Sequence, residues 1–241
     1  MADDAEPSQQ KLLVLRIDPA RLLMWLLVMV AILALGGLFV NNAYLFIGSD
    51  GVREFEPLLR QFQLDAEHNL PTWVASGLLL LNGCLLVCIG GTARAASDTD
   101  WPYWTALGLI FFVLSLDEFV SAHEAMGRAL QGAGDFRGAF HYAWVIPVGL
   151  GLLVLGAIYL RFFLRLPMRT RLLILGSAAL YIGGALGAEM VGGAMVSAEG
   201  WSPRYALTTW IEETLELAGQ VLFTYALLDF AVRRFAPLAA R

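Results

Sequence analysis

Nine ionisable side chains have types and positions suited to chemistry. The run Ser115-Leu116-Asp117-Glu118-Phe119-Val120-Ser121-Ala122-His123-Glu124 closes one apolar stretch, and Glu212-Glu213-Thr214-Leu215-Glu216, followed by Gln220, opens another. At about 100° per residue of helix, Asp117, Ser121 and Glu124 fall within roughly 60° of one another, with Glu118 beside them and His123 on a different side. The same wheel puts Glu212, Glu213, Glu216 and Gln220 in an arc of about 100°. Glu189 stands in a glycine-rich stretch, and His141 heads a further apolar run.

Ionised groups are costly in hydrocarbon, and adjacent carboxylates repel, so seven carboxyls and two imidazoles at one depth need a compensating positive charge. A bound metal, shared protons or arginine would supply it. Carboxylate oxygens with one or two imidazoles suit Fe, Mn or Zn, and bridging carboxylates would hold two ions. The expected ligands of such a divalent metal ion are Asp117, Glu118, His123, Glu124, His141, Glu189, Glu212, Glu213 and Glu216. Of these, Asp117, Glu118, Glu189, Glu213 and Glu216 lie deepest in their apolar stretches. A metal-bound water would serve as a hydrolytic nucleophile, or a di-metal centre would carry redox chemistry, with a spare carboxylate as base. The alternatives are a proton-coupled carboxylate network in a proton or divalent-cation transporter, an accessory or structural subunit whose acidic groups meet a partner's basic surface, and a structural salt-bridge cluster. Arg128, Arg137 and Arg204 are the arginines nearest in sequence for the last of these.

The elements that must position these groups are helices in lipid. The chain is 58% hydrophobic and only 15% charged, with a mean hydropathy of +0.65, which is too apolar for a soluble domain of 241 residues. A hydrocarbon core about 30 Å thick takes roughly 20 apolar residues. Stretches 22–47, 72–93, 103–124, 140–164, 172–196 and 209–232 meet that requirement, so the expected fold is an all-α bundle of six transmembrane helices within residues 20–235. Residues 1–19, polar and acidic, read as a disordered cytoplasmic tail, and 236–241 as a second short tail. The first stretch is too long for a signal-peptide core and lacks a small-x-small cleavage site. The loop 48–71 has apolar residues at helical spacing, as in a short surface helix; the loop 125–138, with four glycines, is expected to be mobile. Gly183, Gly184, Gly187, Ala188 and Gly192 are spaced for close helix packing in the fifth span. Cys84 and Cys88, one turn apart, read as small hydrophobes.

Basic residues favour cytoplasmic loops. With the N-terminus inside, Lys11, Arg16, Arg21, Arg94, Arg161, Arg165, Arg169, Arg171, Arg233, Arg234 and Arg241 are cytoplasmic and Arg53, Arg60, Arg128, Arg137 and Arg204 are not, which favours both termini inside. The implied location is a bacterial cell (inner) membrane, with the ionisable groups near its outer face. A formal charge of −5, with its acidic excess on that side, argues against nucleic acid as a partner. The expected partners are the lipid bilayer and a lipid or small-molecule substrate.

The strings from Ser115 to Glu124 and Glu212-Glu213-x-x-Glu216-x-x-Gly219 resemble those of a group of uncharacterised bacterial multi-pass membrane proteins, over the third to sixth spans. A fainter similarity, through Leu116-Asp117-Glu118, is to the alkaline ceramidase and adiponectin-receptor superfamily. That likeness implies membrane hydrolysis with zinc held by three histidines near an Asp and a Ser. This chain lacks the superfamily's paired late histidines and has six expected spans where the superfamily has seven. Membrane di-iron oxidases are similar in their Glu-rich bundles, but their Glu-x-x-His pairs do not occur here.

Overall fold

The computed structural model describes residues 18–239; of the expected tails 1–19 and 236–241, residues 1–17 and 240–241 lie outside them, while Pro19 and 236–239 belong to the first and last helices. The described residues form helices α1 (Pro19–Asn41), α2 (Ala43–Leu59), α3 (Leu70–Ala95), α4 (Trp101–Val120), α5 (Ala122–Ala133), α6 (Val145–Arg165), α7 (Met168–Ile182), α8 (Glu189–Glu199) and α9 (Pro203–Ala239). A π-helical turn, Gly183–Ala188, joins α7 to α8 into one continuous span. Among the described residues there is no strand, and six helical segments are long and apolar enough to cross a membrane: α1, α3, α4, α6, α7 with α8, and α9 to Phe235. The chain is thus a multi-pass membrane protein. Its surface fits that solvent, since Leu35, Val113, Leu153 and Leu172 are exposed on helix flanks where lipid would cover them.

Local chemistry sets the helix starts. Asp18 caps α1 by accepting from the backbone N–H of Ala20 at 3.0 Å, and Asn69 caps α3 by accepting from Thr72 at 3.1 Å. Pro19, Pro71, Pro102 and Pro203 all stand in first turns, where a missing N–H costs nothing. Pro167, between α6 and α7, enforces the tight reversal there.

Helix α9 is the centre of the bundle, packing on α1, α3, α7 and α8. Its Val221, Ala226 and Leu227 are fully buried. Small residues let backbones meet where lipid supplies no hydrophobic drive. A Cβ on Gly219 of α9 would lie 2.7 Å from the Tyr181 nitrogen, and one on Gly184 would lie 2.8 Å from the Glu212 carbonyl oxygen. Gly83 and Gly108 do the same for the α3–α4 pair. Of the glycines expected to mediate packing in the fifth span, Gly184 and Gly192 do so, whereas Gly183 and Gly187 meet nothing within 4 Å. The π turn changes which face those residues occupy.

Several expected boundaries move. The first span ends at Asn41 rather than 47, because Asn42 (φ −117°, ψ 9°) leaves helical geometry and the chain restarts as α2. The third span ends at Val120 rather than 124 because Ser121 adopts a left-handed conformation, φ 53°, ψ 44°, and starts a new helix. The fourth span begins at Val145 rather than 140, leaving His141 in the connection. The loop 125–138, expected to be mobile, is mostly α5: its Ala, Met, Leu and Arg are strong helix formers, and Gly127 sits against Trp144. The surface helix expected in 48–71 is present as α2, which turns at Gly48 (φ 67°).

The ends of the bundle differ in charge chemistry. The end carrying the α3–α4 and α6–α7 links is tied by ion pairs. Asp229, 7% exposed, accepts from Arg169 Nε at 2.9 Å and from Arg233 Nε at 3.0 Å, Arg234 lies 3.4 Å from Asp98, and Arg165 pairs with Asp100. Beneath them Trp104 meets Phe162 edge to face and packs on a tilted Phe230 ring. The opposite end, carrying α2 and α5, holds the carboxyl-rich site.

Candidate functional site

The break at Ser121 builds the first part of the site. It ends α4 one turn after Asp117 and redirects the chain so that α5 starts beside that residue. The Asp117 carboxylate then accepts the backbone N–H of His123 at Oδ1, 2.9 Å, and faces His123 Nδ1 at Oδ2, also 2.9 Å. Asp117 thereby caps α5 from the preceding helix and fixes the imidazole. A carboxylate only accepts, so the hydrogen sits on Nδ1 and Nε2 is left free when the ring is neutral. Burial alone would lower the His123 pKa; the hydrogen bond and charge of Asp117, with Glu118 and Glu124 nearby, outweigh it and hold the imidazole above its ordinary 6.5. The helical wheel had placed His123 off the Asp117 face and Glu124 on it. The left-handed residue reverses this: His123 joins Asp117, and Glu124 turns to Arg128 at 2.9 Å.

From His123 the site continues through aromatic rings. The imidazole meets Trp144 edge to face, with centroids 5.0 Å apart, and Trp144 Nε1 donates to Glu189 Oε1 at 3.1 Å. Glu189 of α8 and Glu212 of α9 lie close enough for their carboxyls to act on each other. Beside them Tyr142 and Tyr205 share a hydrogen bond of 2.8 Å between their hydroxyls. Burial and that bond push the Tyr142 hydroxyl well above its ordinary value.

Glu118 and Glu216 bridge the two parts. The charge of Glu118 acts on Glu213 and Glu216, and Glu216 lies within similar reach of Glu189. Tyr181 stands among Glu216, Glu118 and Asp117. Glu67, from the segment before α3, lies near Glu118 and Glu213, and Asp65 near Glu213. Eight of the nine expected residues therefore gather at one end of the bundle. His141 is the exception: its Nδ1 lies 3.2 Å from Ser197 Oγ, and its ring packs on Tyr142. Two features weigh on what the cluster can do. Among the described residues, no arginine pairs with Glu118, Glu189, Glu212, Glu213 or Glu216, so the expected salt-bridge partners Arg128, Arg137 and Arg204 do not neutralise them. Nor, among the described residues, does any group of three His, Cys, Asp or Glu side chains stand so as to hold a metal ion.

Below the cluster, a polar stripe continues along α9. Glu212, Glu216, Gln220 and Thr224 follow at intervals of four and so share a face. The buried Asn82 donates to the Gln220 carbonyl at 3.2 Å and accepts from Thr224 Oγ1 at 2.8 Å. The Gln220 side chain, 2% exposed, has neither amide atom bonded. Trp144, Tyr142, Tyr205, Tyr181, Asp65 and Glu67 are site residues that the sequence reading left out. For the four aromatic residues the signal was the shared level of their polar tips, which also fits an ordinary interfacial belt; Asp65 and Glu67 gave none beyond their charge.

No curated protein and no solved structure matches the chain. The sequence model of one family, described as "Domain of unknown function (DUF8692)", matches residues 22–230, and on that coverage the chain belongs to this family.

Proposed function

We propose that this protein binds and exchanges protons at its carboxyl cluster, as a proton-coupled transporter of the bacterial cell (inner) membrane, with both termini cytoplasmic and the cluster facing outward. The observation that carries this reading is the closeness of Glu189 and Glu212, two carboxyls from different helices with no cation between them among the described residues. Two ionised carboxyls side by side repel, and one shared proton both removes a charge and supplies the hydrogen for a bond between them. The absence of arginine partners among the described residues points the same way, since protons then remain the simplest compensating charge. The arginine distribution supports the orientation: eleven basic residues fall on the side of the termini and five on the side of the cluster. Infrared spectra of the purified protein at neutral pH test the reading. The carbonyl stretch of a protonated carboxyl is expected, and it should lose intensity in Glu212→Gln or Glu189→Gln. If no such band is present in the wild type, the proton reading fails.

A second reading, a metal-dependent hydrolase or oxidoreductase with Fe, Mn or Zn, rests on the Asp117–His123 pair. A carboxylate that holds Nδ1 of a histidine and frees Nε2 is a recurring support for metal ligands. The ceramidase-like strings agree with hydrolysis, although only His123 among the histidines stands with the carboxyls. Stoichiometric metal in protein prepared without chelator, lost in Asp117→Asn, would establish this reading in place of the first.

A further inference from the structure

At the carboxyl end, α9, the last turn of α1 and the segment before α3 enclose an open cavity of about 400 Å³. Three aromatic residues line it: Trp201, Tyr205 and Trp210. Trp201 and Tyr205 meet at 78° with ring centroids 4.6 Å apart, forming a corner of two perpendicular rings. Two of the three are pinned from behind. Tyr205 is held by the Tyr142 hydroxyl at 2.8 Å, and Trp210 Nε1 donates to the Ala34 carbonyl at 2.7 Å. Asp65 also lines the cavity, and among the described residues its carboxylate has no ion-pair partner. Asp65 and Glu67 lie near enough to Glu213 for their charges to act on it, so the cavity adjoins the carboxyl cluster.

We infer that this cavity is a binding site for an alkylammonium group. The π faces of tryptophan and tyrosine attract cations, and an ammonium swathed in methyl groups is the form that aromatic walls desolvate at least cost. A nearby carboxylate completes the charge balance, and rings already held in place lose little freedom on binding. A simple inorganic cation would prefer the oxygen-rich cluster beyond; an anion would meet Asp65. The same chemistry is presented by a free choline-like solute and by the headgroup of a choline lipid.

The test uses full-length protein in nanodiscs, with tetramethylammonium as probe and saturation-transfer NMR on its methyl signal as readout. Saturable binding is expected, with no binding of the uncharged tert-butanol. Trp201→Leu and Asp65→Asn should each weaken it about tenfold. Both sites are solvent-facing, so these variants should fold, and unchanged circular dichroism would confirm that. Equal binding of tert-butanol, or no loss in either variant, overturns the inference. Nanodiscs of choline lipid and of phosphatidylglycerol then separate the sources. Weaker probe binding in the choline lipid, through competition, assigns the site to lipid headgroups, and equal binding in both assigns it to a free solute. Neither arm depends on proton exchange at Glu189 and Glu212, so failure here and failure of the proton reading are separately visible.

Discussion

Replacing Gly184 with alanine would show whether the contact between the fifth span and α9 organises the carboxyl site. The added Cβ would lie 2.8 Å from the Glu212 carbonyl oxygen and 2.9 Å from Glu216 Cγ. Ordinary contact starts at 3.4 Å, so the helices must part by about 0.6 Å, enough to forfeit roughly a quarter to a half of each dispersion contact across the seam. The carbonyl belongs to helix backbone and cannot rotate away, so the cost should fall in the range of about 1–3 kcal/mol usual for overpacking. Gly187→Ala is the control. Nothing lies within 4 Å of that position, and alanine's better helix propensity should leave stability equal or raised by up to about 1 kcal/mol. Unfolding in mixed detergent, followed by tryptophan fluorescence, measures both. The infrared carboxyl band provides a second readout, because Glu212 supplies both the obstructing carbonyl and one member of the Glu189 pair. If the two variants unfold alike, the close approach at Gly184 does not govern the packing, and the reasoning is refuted.

Three further outcomes are expected. The His123 pKa stands above its ordinary 6.5, so its pairing with Asp117 stabilises the fold fully below pH 6.5 and loses that contribution as pH rises through the folded value; the stability gap between wild type and Asp117→Asn should narrow accordingly, and a gap flat with pH would exclude the pairing. Asp229→Asn leaves Arg169 and Arg233 facing each other without their shared anion; with both guanidiniums about half exposed, a loss on the order of 1 kcal/mol in chemical unfolding is expected, against almost none for Arg234→Leu. Reporter fusions at the C-terminus and within α5 should report opposite compartments, the C-terminus cytoplasmic; any other result would undo the orientation argued from arginine.

Span number and the gathering of the carboxyls at one end of the bundle were legible because both depend only on the length and polarity of apolar runs. The contacts within the site were not. Ser121 takes a left-handed conformation that a helical wheel cannot anticipate from serine, and the wheel carried through it separated His123 from Asp117. Aromatic residues such as Trp144 and Tyr205 are common at a membrane interface, and only the fold shows one bonded to Glu189 and the other to Tyr142. Asp65 and Glu67 precede α3 in a segment whose course over the carboxyl end is set by tertiary packing rather than by local pattern. Gly184 and Gly187 have equal claims as packing residues in sequence, and the winding of the π turn chooses between them.

That turn, Gly183–Ala188, has a consequence for how this span tolerates change. A π turn contains about one residue more than the α-helical turn it replaces, so everything after it is rotated by about 100° from a regular continuation. Glu189, the first residue beyond, owes its place opposite Trp144 and Glu212 to chain count as much as to its own identity. Ordinary α winding of the same number of residues would swing the carboxyl out of its pair, whereas removing one residue between 183 and 188 along with the π turn would leave it facing the same way. The span is two helical frames spliced together, and the splice is the one place in it where a residue can be lost without turning everything that follows.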